Sequence, residues 1–263
     1  MCGIAGLFGS DGDDSTMAHS MASFIKHRGP NGIRSWSEPC RNGGVGFGHT
    51  RLSIVDVEGS NQPLHSDSGC VLIFNGEIYN HQTIRDGNRE YPFRTNGDGE
   101  TILAAYLSRN DDSSWVQRLD GIWSFAIWDP GLERLILCRD RLGVKPLIRT
   151  LTPNGTLLFG SEAKCFRAHP GHTPEIDMPA LVARIAYEYP LDDTTLFEGV
   201  QSVRPGGIEV WKLSENGAQL EQSKRWFNDA GGPNSKSWIP EADAPQLLES
   251  LTSSVADRLM SDV

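Results

Sequence analysis

Apolar residues come in short runs over the first two-thirds of the chain, and the runs predict strands. Ile4-Ala5-Gly6-Leu7-Phe8 mixes small and β-branched residues and suits a buried strand. RLSIVDV (51–57) alternates apolar and polar residues in its first half. CVLIF (70–74) and IWSFAIW (122–128) are continuously apolar, the pattern of strands covered on both faces. The second meets Asp129-Pro130-Gly131, a turn signal, before LERLILCR (132–139). Asn154-Gly155 separates residues 147–151 from 156–159 and predicts a hairpin, since this dipeptide tolerates the positive φ of a type I′ turn.

Helical spacing is rarer. It predicts helices over 16–26, 99–109 and 178–189. Residues 229–245 read as a linker, rich in Gly, Pro, Ser and Asp. It leads to a helix over 244–260 with Leu247, Leu248, Leu251, Val255 and Leu259 on one stripe. Such a stripe needs a surface to cover it, either the preceding domain or a further one.

Composition narrows the functional classes. The chain has 263 residues, 38% hydrophobic and 22% charged, which fits one large globular domain or one domain plus an extension. A net charge of −10 without a basic run argues against a nucleic-acid surface. The N-terminus lacks the basic region of a signal peptide, and no apolar stretch reaches membrane-spanning length, so a cytoplasmic protein is expected. Five cysteines at wide spacings suggest neither a disulfide framework nor zinc, and the seven histidines form no metal-binding pattern.

Candidate chemistry begins at Cys2. With Met1 removed, this residue would carry a thiol and a free α-amine on one carbon skeleton. An α-amine titrates near ~7.7–8.0, which makes it a usable base at neutral pH. The alternative is an ordinary small buried residue. NGEIYN (75–80) leaves the strand ending at Phe74. There the Asn75 amide and the Gly76 N–H could point to one place as two neutral donors, as an oxyanion hole requires, or form a plain Asn-Gly turn. Arg51 can fork onto a carboxylate, while Glu77 and Asp98 can accept from an ammonium. An amino-acid ligand has both groups. Alone, Asp98 could equally serve the helix that follows it.

Eight segments in order carry a resemblance: MCGIAGLFG (1–9), HRGPNG (27–32), HTRLSIVD (49–56), NQPL (61–64), FNGEIYNH (74–81), LDGIWSFAIWD (119–129), RDRLGVKPL (139–147) and FGSEAK (159–164). Together they resemble the class II, N-terminal-nucleophile amidotransferase domain of glutamine-dependent asparagine synthetases, over residues 2 to about 210. The closing ADRLMSDV (256–263) resembles the segment ahead of that family's ATP-pyrophosphatase signature, which does not appear in this chain.

The resemblance implies an α+β fold, a four-layer αββα sandwich of two antiparallel sheets. It implies a glutaminase domain over 1–212, and over 213–263 a linker and first helix leading toward a synthetase domain. Carried over by motif position, Cys2 is the nucleophile and Asn75 with Gly76 the oxyanion hole. Arg51 binds the α-carboxylate of L-glutamine, Glu77 and Asp98 its α-ammonium, and the backbone of Leu52, Ser53, Ile54 and Val55 lines the pocket. No cofactor or metal is implied for this domain; ATP and Mg belong to the synthetase domain, the partner in cis or in trans. Self-association stays open. So do a module that keeps the fold without the chemistry and an N-terminal-nucleophile hydrolase of another amide, such as a γ-glutamyl hydroxamate. The family often carries serine immediately before the aspartate; here that position is Gly97, which implies a looser or differently bonded loop.

Overall fold

The computed structural model describes residues 1–109, 113–227 and 240–262. In chain order its strands are β1 (Gly3–Gly9), β2 (Gly32–Cys40), β3 (Gly43–Arg51), β4 (Leu64–His65), β5 (Val71–Ile78) and β6 (Gly121–Asp129). They continue as β7 (Arg134–Arg139), β8 (Ile148–Leu151), β9 (Leu157–Gly160), β10 (Gln201–Ser202), β11 (Gly207–Ser214) and β12 (Gly217–Arg225). The helices are α1 (Ser15–Ser23), α2 (His81–Gly87), α3 (Glu100–Leu107), α4 (Met178–Tyr187) and α5 (Pro240–Asp257).

Ten of the strands fall, with two short ones, into two six-stranded antiparallel sheets, ordered β10-β8-β9-β1-β3-β2 and β12-β11-β7-β6-β5-β4. The two sheets face each other. Ile4, Phe8, Val45 and Phe47 of the first meet Val71, Ile73, Ala126 and Trp128 of the second in one buried cluster. Each sheet is covered on its other face. Ala5 and Leu7 pack with Ala18 and Met21 of α1, while Leu72 and Phe74 pack with Ile102, Leu103 and Tyr106 of α3. Side chains alternate faces along a strand, so β1 and β5 need apolar residues at both parities, and that is why they read as unbroken runs. The layers are those of the expected αββα sandwich.

Several elements differ from their sequence reading. Residues 51–57 do not form a strand; the strand is β3, which ends at Arg51, and the chain leaves the sheet at Leu52. The glycines at 44, 46 and 48 mask β3 because they carry no apolar signal. They leave room for α1 and the turn before it: a Cβ at Gly48 would come within 2.3 Å of the Ala18 carbonyl oxygen, one at Gly44 within 2.4 Å of the Asp13 nitrogen and one at Gly46 within 2.8 Å of the Gly12 carbonyl oxygen. In the β8–β9 reversal only Gly155 has positive φ, at 80°, so the turn is not type I′, which needs it at both central residues. Helix α1 ends three residues early, at Ser23, with its start fixed by the Asp14 carboxylate accepting from the N–H groups of Thr16 and Met17 at 2.8 and 3.2 Å.

The expected boundary after residue 212 falls inside β11. Strand β12 pairs with β11 from Gly217 to Arg225, so the second sheet runs thirteen residues further. Most of the expected linker lies outside the described residues. Helix α5 starts at Pro240, before the expected Ala244, and its stripe stays open: Leu247, Leu248, Leu251 and Val255 are 56, 64, 57 and 51% exposed.

Candidate active site

Sheet register brings the first two candidate residues together. Gly3 pairs with Thr50, so Cys2 and Arg51 leave adjacent strands side by side. The Leu52 N–H donates to the Cys2 sulfur at 3.3 Å, and the thiol reaches the Leu52 carbonyl oxygen at 3.5 Å. Arg28, whose guanidinium is paired with Glu162 at 3.0 Å, donates from Nε to the Cys2 carbonyl at 2.9 Å and fixes the start of the chain from behind. Burial pushes the Cys2 thiol up from its ordinary value, against the opposing pull of the Leu52 N–H and of the Arg51 charge. A thiol shifted in this direction would need a base before it could act as a nucleophile.

Arg51 is held in place before any ligand arrives. Its Nη1 donates to Asn61 Oδ1 at 2.8 Å and its Nη2 to the Asp56 carbonyl at 2.6 Å. Two bonds on one planar fork set its direction as well as its place.

The end of β5 supplies the donors. Successive N–H groups along a strand point to opposite sides. The Phe74 N–H donates to Gln62 Oε1 at 2.6 Å and the Ile78 N–H to Asp98 Oδ2 at 2.8 Å, both on the side away from β6. Gly76 lies between them at the same parity, so its N–H faces that edge too. Strand β4 begins only at Leu64, opposite Leu72, and leaves this edge without a neighbouring strand at Gly76. Asn75 points the other way in the ladder, and its side chain is 1% exposed with an amide nitrogen that no described group satisfies. Two open neutral donors therefore sit on consecutive residues, and a buried donor left without a partner is costly unless a ligand takes it.

Asp98 does not cap α3; its carboxylate turns back to Ile78 instead. It is 7% exposed, and burial pushes it up to about 6, against the Ile78 hydrogen bond and with help from the nearby Glu77 charge. Gly97 is not a loose point. A Cβ there would come within 2.2 Å of Ser60 Oγ, so the serine on the facing loop takes the space a side chain at 97 would use. Arg85 Nη2 also donates to the Gly97 carbonyl at 2.6 Å. The loop is bonded differently, not less.

One cleft joins these groups, lined by Cys2, Arg51, Leu52, Ile54, Val55, Asn75, Gly76, Glu77 and Asp98. Ser53 is the exception among the expected residues. Its N–H donates to Asn31 Oδ1 at 3.1 Å, and it lines a neighbouring cavity with Asn31 and Arg34. Met1, Ser60, Gln62, Phe74 and Lys145 also line the cleft and were not singled out by sequence. NQPL and RDRLGVKPL were the available signals. Gln62 stands in for a strand, bonding both the N–H and the carbonyl of Phe74. Lys145 is carried by a loop that the Asp140 carboxylate ties through the N–H groups of Leu142, Val144 and Lys145 at 3.1, 2.9 and 2.9 Å. The lysine is 7% exposed, and burial lowers its ammonium below its ordinary value, opposed by Glu77. No described helix is long and apolar enough to cross a membrane.

Residues 1–226 match the family model of the glutamine amidotransferase domain. The chain is 33% identical over 266 residues to glutamine-hydrolysing asparagine synthetase 3 of Bacillus subtilis, covering 94% of this chain and 42% of the relative. It is 33% identical over 275 residues to the glutamine-hydrolysing asparagine synthetase of Asparagus officinalis, covering 100% of this chain and 38% of that one. The chain thus spans less than half the length of the curated relatives it matches. Among solved structures it is similar in fold to the glutamine phosphoribosylpyrophosphate amidotransferase of B. subtilis, with a TM-score of 0.62 at 17% identity, over 87% of this chain and 50% of that one. With the αββα layers and the cleft at Cys2, these matches lead to one conclusion: the chain belongs to the glutamine amidotransferase domain family of the glutamine-hydrolysing asparagine synthetases.

Proposed function

We propose that the chain hydrolyses the side-chain amide of L-glutamine through a Cys2 thioester and releases ammonia to an ATP-dependent amide synthetase. The observation that carries this reading is the convergence of Cys2, Arg51, Asn75, Gly76, Glu77 and Asp98 on one cleft. The Arg51 fork suits an α-carboxylate. Asp98 and Glu77 suit an α-ammonium, which would also relieve the unfavourable proximity of their charges. Ligand placed this way sends its side chain toward the sulfur and the two open donors.

In the proposed reaction Met1 is first removed, and the freed Cys2 amine takes the thiol proton, directly or through a water. The thiolate adds to the amide carbon, forming the C–S bond, and the oxyanion is held by the Asn75 amide and the Gly76 N–H. The ammonium proton passes to the departing nitrogen, the C–N bond breaks and ammonia leaves. Water then adds to the thioester, and its collapse gives glutamate and the thiol. The relatives' names support asparagine as the product; a different amide acceptor fits this domain equally, because the acceptor is chosen elsewhere. The proposed unit is the glutaminase domain, with the synthetase supplied in cis or in trans and the reaction placed in the cytoplasm.

Purified protein with a verified Cys2 N-terminus is expected to release glutamate from glutamine and to lose this activity on alkylation by iodoacetamide. No glutamate from such protein overturns the reading and leaves the non-catalytic module. Turnover of other amides in preference to glutamine favours the hydrolase alternative.

A further inference from the structure

The loop at residues 52–56 is joined to a segment more than two hundred positions away. The Asp262 N–H donates to the Ile54 carbonyl at 2.9 Å. In return the Asp56 N–H donates to Asp262 Oδ2 at 2.6 Å. Just upstream, the Arg258 guanidinium lies 4.9 Å from the centre of the Tyr79 ring. The segment after α5 thus crosses the outer side of the loop whose inner side, Leu52, Ile54 and Val55, lines the cleft.

Asp56 is the junction. Its carbonyl accepts from Arg51 at 2.6 Å, and its carboxylate accepts from the N–H groups of Gly59 and Asn96 at 3.0 and 2.9 Å. Its backbone has φ of 48°, the left-handed region that a residue with a Cβ adopts at a cost. Such a residue persists only where its surroundings over-determine it. The Asp262 contacts complete the set: one residue reaches the arginine fork, the strand of chain before Asp98 and the segment after α5.

We infer that the segment 258–262 is a strap that holds the loop 52–56 in its ligand-ready form, with Asp262 as a positioning residue acting through Asp56 on Arg51. This rests on the proposed glutamine site for its effect on affinity, and on the hydrogen bonds alone for its effect on the loop. The segment follows α5 directly, so a displacement of that helix is transmitted to the glutamine end of the cleft. The loop and the segment are coupled by a contact that either side can break.

Hydrogen–deuterium exchange of residues 51–56 tests the contact without any ligand. Asp262→Ala removes the acceptor for Asp56 and Asp262→Pro removes the donor to Ile54; each is expected to speed exchange in this loop about tenfold, the loss of one charged or neutral hydrogen bond. Asp262→Asn keeps an oxygen acceptor and is expected to restore most of the protection. Glutamine affinity is read as protection of Cys2 from iodoacetamide. It is expected to weaken about five- to tenfold in the Ala and Pro variants, with alkylation of the unliganded protein unchanged. Unaltered exchange in the loop overturns the strap. Faster exchange with unaltered affinity overturns the positioning role. Wild-type protein that glutamine fails to protect overturns the proposed function instead, and the exchange result still decides the strap.

Discussion

The Cys2 sulfur and the Leu52 amide nitrogen lie 3.3 Å apart, joined by a hydrogen bond from the N–H to the sulfur. This contact favours the thiolate, yet burial outweighs it and the thiol stays above its ordinary value. A nucleophile in that state depends on a nearby base, and the proposed base exists only when Met1 is gone. Protein that keeps one residue ahead of Cys2 is expected to show no glutaminase activity, while intact mass of the active form lacks methionine. Activity in protein whose mass retains that residue would exclude the Cys2 amine as base.

Asn75 offers its side-chain amide with no partner among the described groups. Asn75→Ala is expected to lower glutamine turnover about 100- to 1,000-fold, with the KM for glutamine little changed, because the lost bond forms to the oxyanion and not to the ground state. Steady-state glutamate release measures both. A raised KM with intact turnover would move Asn75 from the oxyanion to substrate binding.

Arg51 bonds Asn61 and the Asp56 carbonyl and, in the proposed complex, a carboxylate. Lysine has a point charge and no fork. Arg51→Lys is expected to raise the KM for glutamine on the order of 10- to 100-fold, matching the loss of one or two charge-assisted bonds. Retained KM would remove the carboxylate clamp.

Asp98 separates affinity from stability. Its carboxyl releases the proton near 3.8 in the unfolded chain and near about 6 in the fold. Between those values the folded chain holds more protons, so this residue's contribution to stability falls as pH rises through that window and stays lost above it. Asp98→Asn is expected to stabilise the unliganded protein by about 1–3 kcal/mol at pH 8 and by far less at pH 4. The same variant is expected to lose glutamine binding. In wild type, glutamine affinity is expected to fall below pH ~6, where the proton neutralises the ammonium partner. Denaturant melts of both proteins at the two pH values check the sign, and equal stability at pH 8 would contradict it.

Gly97 and Ser60 share one space. Gly97→Ser is expected to destabilise by about 1–3 kcal/mol, because the new Cβ meets Ser60 Oγ at 2.2 Å. Ser60→Gly is expected to recover most of the loss, giving a coupling energy above about 1 kcal/mol in a double-mutant cycle. Additive effects would show that the two positions do not compete.

Much of the molecule was legible from local pattern. The runs at β1, β5 and β6 announced strands buried on both faces, since a residue's apolarity reports burial directly. The motif segments identified the family and held the expected residues of the cleft except Asp98, which precedes the predicted helix over 99–109. Other features left no such trace. Strand β3 was hidden by glycines that make room for α1 and the turn before it, a contact between elements. The openness of the Gly76 N–H follows from where β4 begins, and the bonding of Gly97 from a serine on another loop. The Asp262 strap depends on residues more than two hundred positions apart. The available chemistry and the faces to be buried could be read along the chain, because they are properties of single side chains and their spacing. Which donors stay unpaired and which loops brace one another emerged with the packed fold, because hydrogen bonds between distant segments are set by packing that no local pattern encodes.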